Sequence, residues 1–318
     1  MDMKTAEILC NVTSDFYRAQ AASFSATRTA PWHGWRRCVA MMAEALGVAD
    51  GSLCVGAGRL RGEGVVSRGP LLCDGMFDAD SAEREVRHVE ITADGNAGEA
   101  APCETEGAMR PAVSVFDLAC GNLRFERYLE EALPCADVRA YAVDGCDELA
   151  ASASELGILV TYESSDIVGG LIAGASLCEL HHAPQTDMAV SFGFLHHVPD
   201  ERLRVRVLEG LIDAVRPGGC VAVSLWQFMN NPALAAKAQA THAQAGSALG
   251  LAADAFDEGD YLLGWKNVER AWRYCHHFSD EEVGRLIDAV SSRARLIDAF
   301  EADGRTGAMN KYLVLQRA

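Results

Sequence analysis

The stretch that most constrains this chain is Val113-Ser-Val-Phe-Asp117-Leu-Ala-Cys-Gly121-Asn122-Leu-Arg-Phe125. A β-prone apolar run meets an acid, a turn of small residues follows, and residues 124–133 have helix-forming composition. Strand, tight turn and helix are the opening of a βαβ unit. Such a turn lets a ligand approach the backbone, and the helix start offers unpaired N–H groups.

After residue 113 the chain alternates between strand and helix patterns. Strands are expected at 113–117, 138–143, 157–162, 188–192 and 219–225, with helices at 124–133, about 147–156 and 200–215 between them. This alternation specifies an α/β fold, a mostly parallel sheet with helices on both faces. Asp200 is a plausible N-cap for the 200–215 helix, which stops at Arg216-Pro217-Gly218-Gly219. Residues 229–262 are Ala-rich and read as helical, and Ser279 with Glu282 reads as a capping box for a helix at 279–291. Two last strands, 294–300 and 311–315, form an antiparallel hairpin around the loop 301–310.

Ahead of this core, residues 4–30 and about 34–46 read as helices. Between them, Phe24-Ser-Ala-Thr27-Arg28-Thr-Ala-Pro31-Trp32-His-Gly-Trp35 is either an aromatic staple or a lid over a ligand. Residues 56–110 lack periodicity and hold 11 acids against 6 bases, the composition of a flexible insertion. The organisation expected is therefore N-terminal helices and a lid segment at 1–55, the insertion at 56–110, and the α/β domain at 111–318 with a cap at about 229–278.

Composition narrows the class. No run of 18 apolar residues exists and the N-terminus does not read as a secretory signal. The 11 scattered cysteines contain no CxxC, which fits a reduced, cytoplasmic setting. A net charge of −17 argues against indiscriminate nucleic-acid binding.

In a parallel sheet the ligand lies beyond the carboxyl ends of the strands. Asp117 ends the first core strand, Asp144 the second, Asp166 follows the third, and Ser191-Phe192-Gly-Phe-Leu-His196-His197 follows the fourth. An acid at the second strand end suits a ribose diol. No G-x-G-x-x-G occurs, so a dinucleotide is not indicated. His196 and His197, neighbours on a presumed strand, should face opposite ways, and no His or Cys stands at i+3 or i+4, so no metal is expected.

Asp117-Leu-Ala-Cys-Gly121-Asn, Asp144, Asp166, the Ser191–His197 run and Val215-Arg-Pro-Gly-Gly219 together resemble the motif series of class I S-adenosylmethionine-dependent methyltransferases. The resemblance implies a Rossmann-like, mostly parallel seven-stranded sheet ending in an antiparallel hairpin. It implies S-adenosyl-L-methionine as cofactor, bound by Asp117, Ala119, Gly121, Asn122, Asp144, Asp166, Ile167, Ser191, Phe192 and His196. The chain departs from the usual Asp-x-Gly-x-Gly-x-Gly at Ala119 and Leu123, and Leu123 is expected to narrow the turn. The flanks Phe24–Arg28 with Pro31-Trp32, and Arg273-Tyr274-Cys-His276-His-Phe278, resemble the tRNA wobble-uridine methyltransferases. Those esterify 5-carboxymethyluridine with an activator protein.

A carboxylate acceptor is ionised at neutral pH and needs orientation more than a base. Arg28 and Arg273 are the residues expected to hold it, with Tyr274 and His276 shaping the pocket. Two other functions stay open: methylation of a metabolite carboxylate, hydroxyl or amine, which the acidity favours, and a non-catalytic partner that keeps the fold. For tRNA, bases cluster only modestly, at Arg202-Leu-Arg-Val-Arg206 and at Arg28, Arg36 and Arg37.

Overall fold

The structure, a computed structural model, describes residues 1–47, 89–91, 110–151, 153, 155–266 and 268–318. Most of the expected 56–110 insertion lies outside the described residues. The elements are, in order, α1 (Met3–Ser25), α2 (His33–Ala45), β1 (Val89–Ile91), β2 (Ala112–Leu118), α3 (Arg124–Ala132), β3 (Asp137–Asp144), α4 (Asp147–Ala150), β4 (Leu159–Ser164) and α5 (Ile167–Ile172). They continue as β5 (Thr186–Ser191), α6 (Glu201–Ala214), β6 (Val215–Trp226), α7 (Pro232–Leu249), β7 (Asp260–Gly264), β8 (Trp272–His276), α8 (Asp280–Val290), β9 (Ala294–Ala302) and β10 (Asn310–Arg317).

The main sheet has the order β1-β4-β3-β2-β5-β6-β10-β9. Strands β2 to β6 run parallel, and β10 is antiparallel to both β6 and β9. This is the expected Rossmann-like sheet with its C-terminal hairpin, extended at one edge by β1, antiparallel to β4. The strands read as unbroken apolar runs because both faces are covered. On one face Phe116, Leu118, Ala189, Val221, Val223 and Leu313 pack with α6 and α8. On the other Val113, Val115, Met188, Val190, Ala222 and Tyr312 pack with α2 and α3. The period-two alternation thus divides each strand between two cores, and emptying one of these sites, as in Phe116→Ala, costs about 3–5 kcal/mol.

Helix α1 starts where Asp2 accepts from the Thr5 N–H at 3.0 Å, and it buries Leu9, Cys10, Thr13 and Phe16 at helical spacing. Helix α8 starts on Ser279, whose hydroxyl accepts from Glu282 N–H. The Glu282 side chain does not return to complete the expected box; it turns inward to His276 and Arg204.

The cap departs most from expectation. Helix α7 covers only part of 229–262, ending at Gly250 with φ 69°. The chain then forms an antiparallel hairpin, β7–β8, with Leu262 opposite Tyr274. Alanine content suggested helix through this region, but the alternating Tyr261–Leu263 and Trp272–His276 segments pair locally instead. The expected helix near 147–156 is a single turn, α4. No described helix is long and apolar enough to cross a membrane.

Candidate functional site

Strand β2 has β3 and β4 on one side and β5 and β6 on the other. Connections leave in opposite directions there, which opens a crevice beyond the carboxyl ends. A cavity of about 730 Å³ occupies it, roofed by α1 and the 24–33 segment. Of the residues singled out by the sequence, Arg28, Asp117, Ala119, Gly121, Asn122, Asp144, Asp166, Ile167, Phe192, His196 and Arg273 line it.

One end of the cavity is acidic. Asp144 is buried at the end of β3 and its two carboxylate oxygens accept from the backbone N–H groups of Gly121 and Cys146, each at 2.8 Å. Burial pushes its pKa up to about 6, against the opposing pull of those N–H groups. Asp117, also buried, sits beside Glu126 of α3, which is fully buried. Burial first, and then mutual repulsion, raises Asp117 well above the carboxylate range, and burial lifts Glu126 to about 7. Neither Glu126 carboxylate oxygen has a hydrogen-bond partner among the described residues, so nothing offsets the burial that disfavours its charge. Asp166 is exposed at the rim, where it caps α5 through Gly169 N–H at 2.9 Å.

The turn between β2 and α3 takes the backbone of a glycine-rich loop with a glycine at only one of the three positions, Gly121. Ala119 and Leu123 stand at φ 63° and 54°, in the left-handed region that disfavours a Cβ. The expected narrowing by Leu123 is corrected: its side chain is fully buried away from the cavity, against Ala140, Ala142 and Val160. A Cβ on Gly121 would meet nothing within 4 Å, so the turn is open over its second glycine position.

The lid segment is fastened to this turn. The Asn122 amide donates to the Arg28 carbonyl at 3.1 Å, and Arg124 donates to the Ala30 carbonyl at 2.9 Å. The Arg124 guanidinium also lies over the rings of Trp32 and Trp35, at 5.1 and 4.9 Å. Trp32 reaches across to Gly193, where any Cβ would stand 2.9 Å from the indole.

The other end of the cavity is cationic and aromatic. Arg273 enters it from β8, almost fully buried, with its guanidinium 5.0 Å from the Phe16 ring and 5.6 Å from Trp226. Arg28 lies over Phe24 at 4.7 Å. Strand alternation sends Tyr274 and His276 the other way, which corrects their expected place beside Arg273. There the His276 ring is held between Asp260 at 2.7 Å and Glu282 at 2.5 Å, while the Tyr274 hydroxyl donates to Asp260 at 2.7 Å. Arg204 donates to Glu282 at 3.0 Å, closing a buried ionic cluster outside the cavity. Ser191 also stays out of the cavity, since its hydroxyl donates to the Leu118 carbonyl at 2.9 Å and ties β5 to β2.

His196 and His197 do not sit on a strand. They form a 3₁₀ turn after β5, with ring centroids 4.1 Å apart, so both face the cavity. Cys275 comes close enough for the three side chains to resemble a ligand set, an arrangement their spacing did not announce. Both His197 nitrogens are already engaged: Nδ1 lies 2.8 Å from the Tyr274 carbonyl and Nε2 3.0 Å from the Tyr17 hydroxyl. Burial, with Arg273 second, pushes His197 down to about 3, and burial also pushes His196 far down, so both rings are neutral.

Tyr17, Arg124, His197 and Trp226 are cavity residues that the sequence reading did not assign. Trp226 had a usable signal, since it ends a core strand. Tyr17 had none beyond helical spacing.

The chain matches no family model, and no curated protein matches it. Its fold is similar to that of a SAM-dependent methyltransferase from Methanosarcina mazei, with 16% identity and a TM-score of 0.45, over 66% of this chain and 94% of that one. It is similar to the protein of the DhpI–SAM–HEP complex, with 20% identity and a TM-score of 0.43, over 67% and 81%. It is similar again to the N-methyltransferase NodS from Bradyrhizobium japonicum in complex with S-adenosyl-L-homocysteine, with 10% identity and a TM-score of 0.37, over 64% and 78%. Likenesses at this level concern the fold alone.

Proposed function

We propose that the chain is an S-adenosylmethionine-dependent methyltransferase whose acceptor is a small anionic molecule. The observation that carries this reading is the polarity of one cavity, carboxylates at the strand ends and guanidiniums under the lid. The residues fit the cofactor. Asp144 keeps its carboxylate at the second strand end with lone pairs beyond those used by Gly121 and Cys146, which suits a ribose diol. Gly121 leaves open space over the turn, and Asp117 lines the same end of the cavity. Ile167 and Phe192 give apolar wall on either side of the crevice.

When bound, the cofactor supplies an activated methyl group, so the protein's work is proximity and orientation. Arg273 and Arg28 hold an anionic acceptor; Arg124, Asn122 and Trp32 keep the lid over it and water out. A metabolite fits this site better than tRNA. In the basic run, Arg202 pairs with Asp200, Arg204 is buried against Glu282, and Arg206 donates to the carbonyls of Leu171, Gly174 and Ala175. Arg37 pairs with Asp298. These cations are engaged within the fold rather than presented to a phosphate backbone.

Calorimetry with S-adenosylmethionine and S-adenosylhomocysteine tests the reading, with micromolar binding expected. Absence of binding at millimolar ligand would overturn it. Labelled methyl transfer to a panel of organic acids, against 5-carboxymethyluridine-containing tRNA, then separates the acceptor classes.

A further inference from the structure

His196 is a buried imidazole that the protein itself does not satisfy. It is 7% exposed, and Nδ1 is closed off from solvent with no hydrogen-bond partner among the described residues. Nε2 makes no hydrogen bond to a described residue either, and it is the nitrogen left open to the cavity that His196 lines. His197, on the same turn, has both nitrogens engaged, so the deficit is particular to His196. A buried polar group without a partner destabilises a fold, and one at a cavity wall is accounted for when a bound molecule completes it.

The chemistry of the missing partner follows from the ring and its neighbours. Burial first, then His197 and Arg273, keep His196 neutral, so it offers one N–H and one lone pair and no charge. A hydroxyl both donates and accepts, and it therefore pairs with Nε2 in either tautomer of the ring. Trp226 connects this point to the cationic end of the cavity. Its indole lies 5.1 Å from the His196 ring, and the Arg273 guanidinium lies 5.6 Å from the same indole. Trp226 is only half-buried and lines the cavity, so it gives a flat apolar surface beside both polar groups.

We propose, on the methyltransferase reading above, that His196 is a specificity-determining residue on the acceptor side rather than a cofactor ligand, and that the acceptor is an aromatic hydroxy acid. Its acid lies toward Arg273, its ring against Trp226 and its hydroxyl on His196 Nε2. An acid without the hydroxyl fills the same space but leaves Nε2 covered and unpaired. That penalty discriminates more strongly than the loss of one contact, because the site's own polar group has been taken from water for nothing.

Two variants test this. His196→Phe keeps a ring of similar shape and removes both nitrogens, while His196→Gln keeps a hydrogen-bonding group. The probes are benzoate, 3-hydroxybenzoate and 4-hydroxybenzoate, titrated calorimetrically into the chain alone and into the chain saturated with S-adenosylhomocysteine. Wild type should bind at least one hydroxybenzoate about 10-fold or more tighter than benzoate. His196→Phe should reduce that preference below about 3-fold while leaving benzoate affinity nearly unchanged, and His196→Gln should restore part of it. A residue kept for binding at the expense of the fold has a second signature: the ligand-free His196→Phe chain should melt about 2–4 °C higher than wild type. No binding of any of the three acids, equal affinity for all three in wild type, a preference that survives His196→Phe, or a lower melting temperature in that variant would each overturn the proposal. Affinity for S-adenosylhomocysteine is read separately. Its absence in wild type strikes the methyltransferase reading, whereas its loss in His196→Phe with the acid preference intact returns His196 to the cofactor and overturns the proposal alone.

Discussion

Asp144→Asn should separate stability from ligand binding, and do so in a pH-dependent way. In the folded chain Asp144 has a pKa of about 6 against an ordinary value of 3.8, because burial disfavours its charge. A raised acid contributes stability below its unfolded pKa and loses it as pH rises through the folded pKa. The shift corresponds to about 3 kcal/mol of stability given up between pH 4 and pH 8. Asparagine avoids that loss. It accepts from only one of the Gly121 and Cys146 N–H groups and turns its own amide toward the other, at a cost of about 1–3 kcal/mol. The variant should therefore be about 0–2 kcal/mol more stable than wild type at pH 8 and about 1–3 kcal/mol less stable at pH 4. Over the same range its affinity for S-adenosylmethionine at pH 8 should fall about 10- to 150-fold, from loss of a charge-assisted bond of about 1.5–3 kcal/mol. Wild-type affinity should weaken below pH 6 as Asp144 protonates, while the variant's stays flat with respect to this group. Urea unfolding at several pH values and calorimetry check both halves. A variant-minus-wild-type stability difference that does not change sign or shrink with pH refutes the burial argument, and unchanged affinity refutes the assignment of Asp144.

Ala119→Gly should stabilise the chain by about 1 kcal/mol, because it relieves a left-handed backbone at φ 63°; a thermal midpoint that drops would show that the methyl's packing outweighs the strain. Arg204→Met should destabilise by about 3–5 kcal/mol, since it leaves Glu282 buried without its arginine; urea midpoints within experimental error of wild type would refute the ionic cluster's role. Arg273→Ala should leave cofactor affinity nearly intact while kcat/KM for the acceptor falls about 10²-fold, and Arg273→Lys should rescue only partly because a point charge does not replace a planar fork; equal loss of both quantities would make Arg273 a packing residue.

Much of the architecture was legible in the chain alone. The apolar runs around Val113, Val138, Met188 and Val221 are strands because each must bury both faces, and that requirement is written in consecutive residues. The acids at positions 117, 144 and 166 follow those strands, so their arrival at one cavity is a consequence of parallel order. The end of α6 at Ala214, just ahead of Arg216-Pro217, and the N-cap at Ser279 are local chemistry, read directly, whereas β6 takes in Val215-Arg-Pro-Gly-Gly219, where a break before the strand was expected.

The acceptor side was not legible, for a different reason. Whether Arg273 or Tyr274 faces the cavity depends on the phase of a two-stranded hairpin, and a shift of one residue exchanges them. Alanine-rich neighbours hid that hairpin behind a helical pattern. The pairing of Tyr17 with His197 joins positions 180 residues apart, and the raised pKa values of Asp117 and Glu126 come first from the removal of both from water. Sequence decided which residues must be buried and which strands must run side by side, because hydrophobic periodicity and turn chemistry act over a few residues. Tertiary structure decided which side chains meet across the cavity and how their protons are held, because those depend on contacts and desolvation that no local pattern encodes.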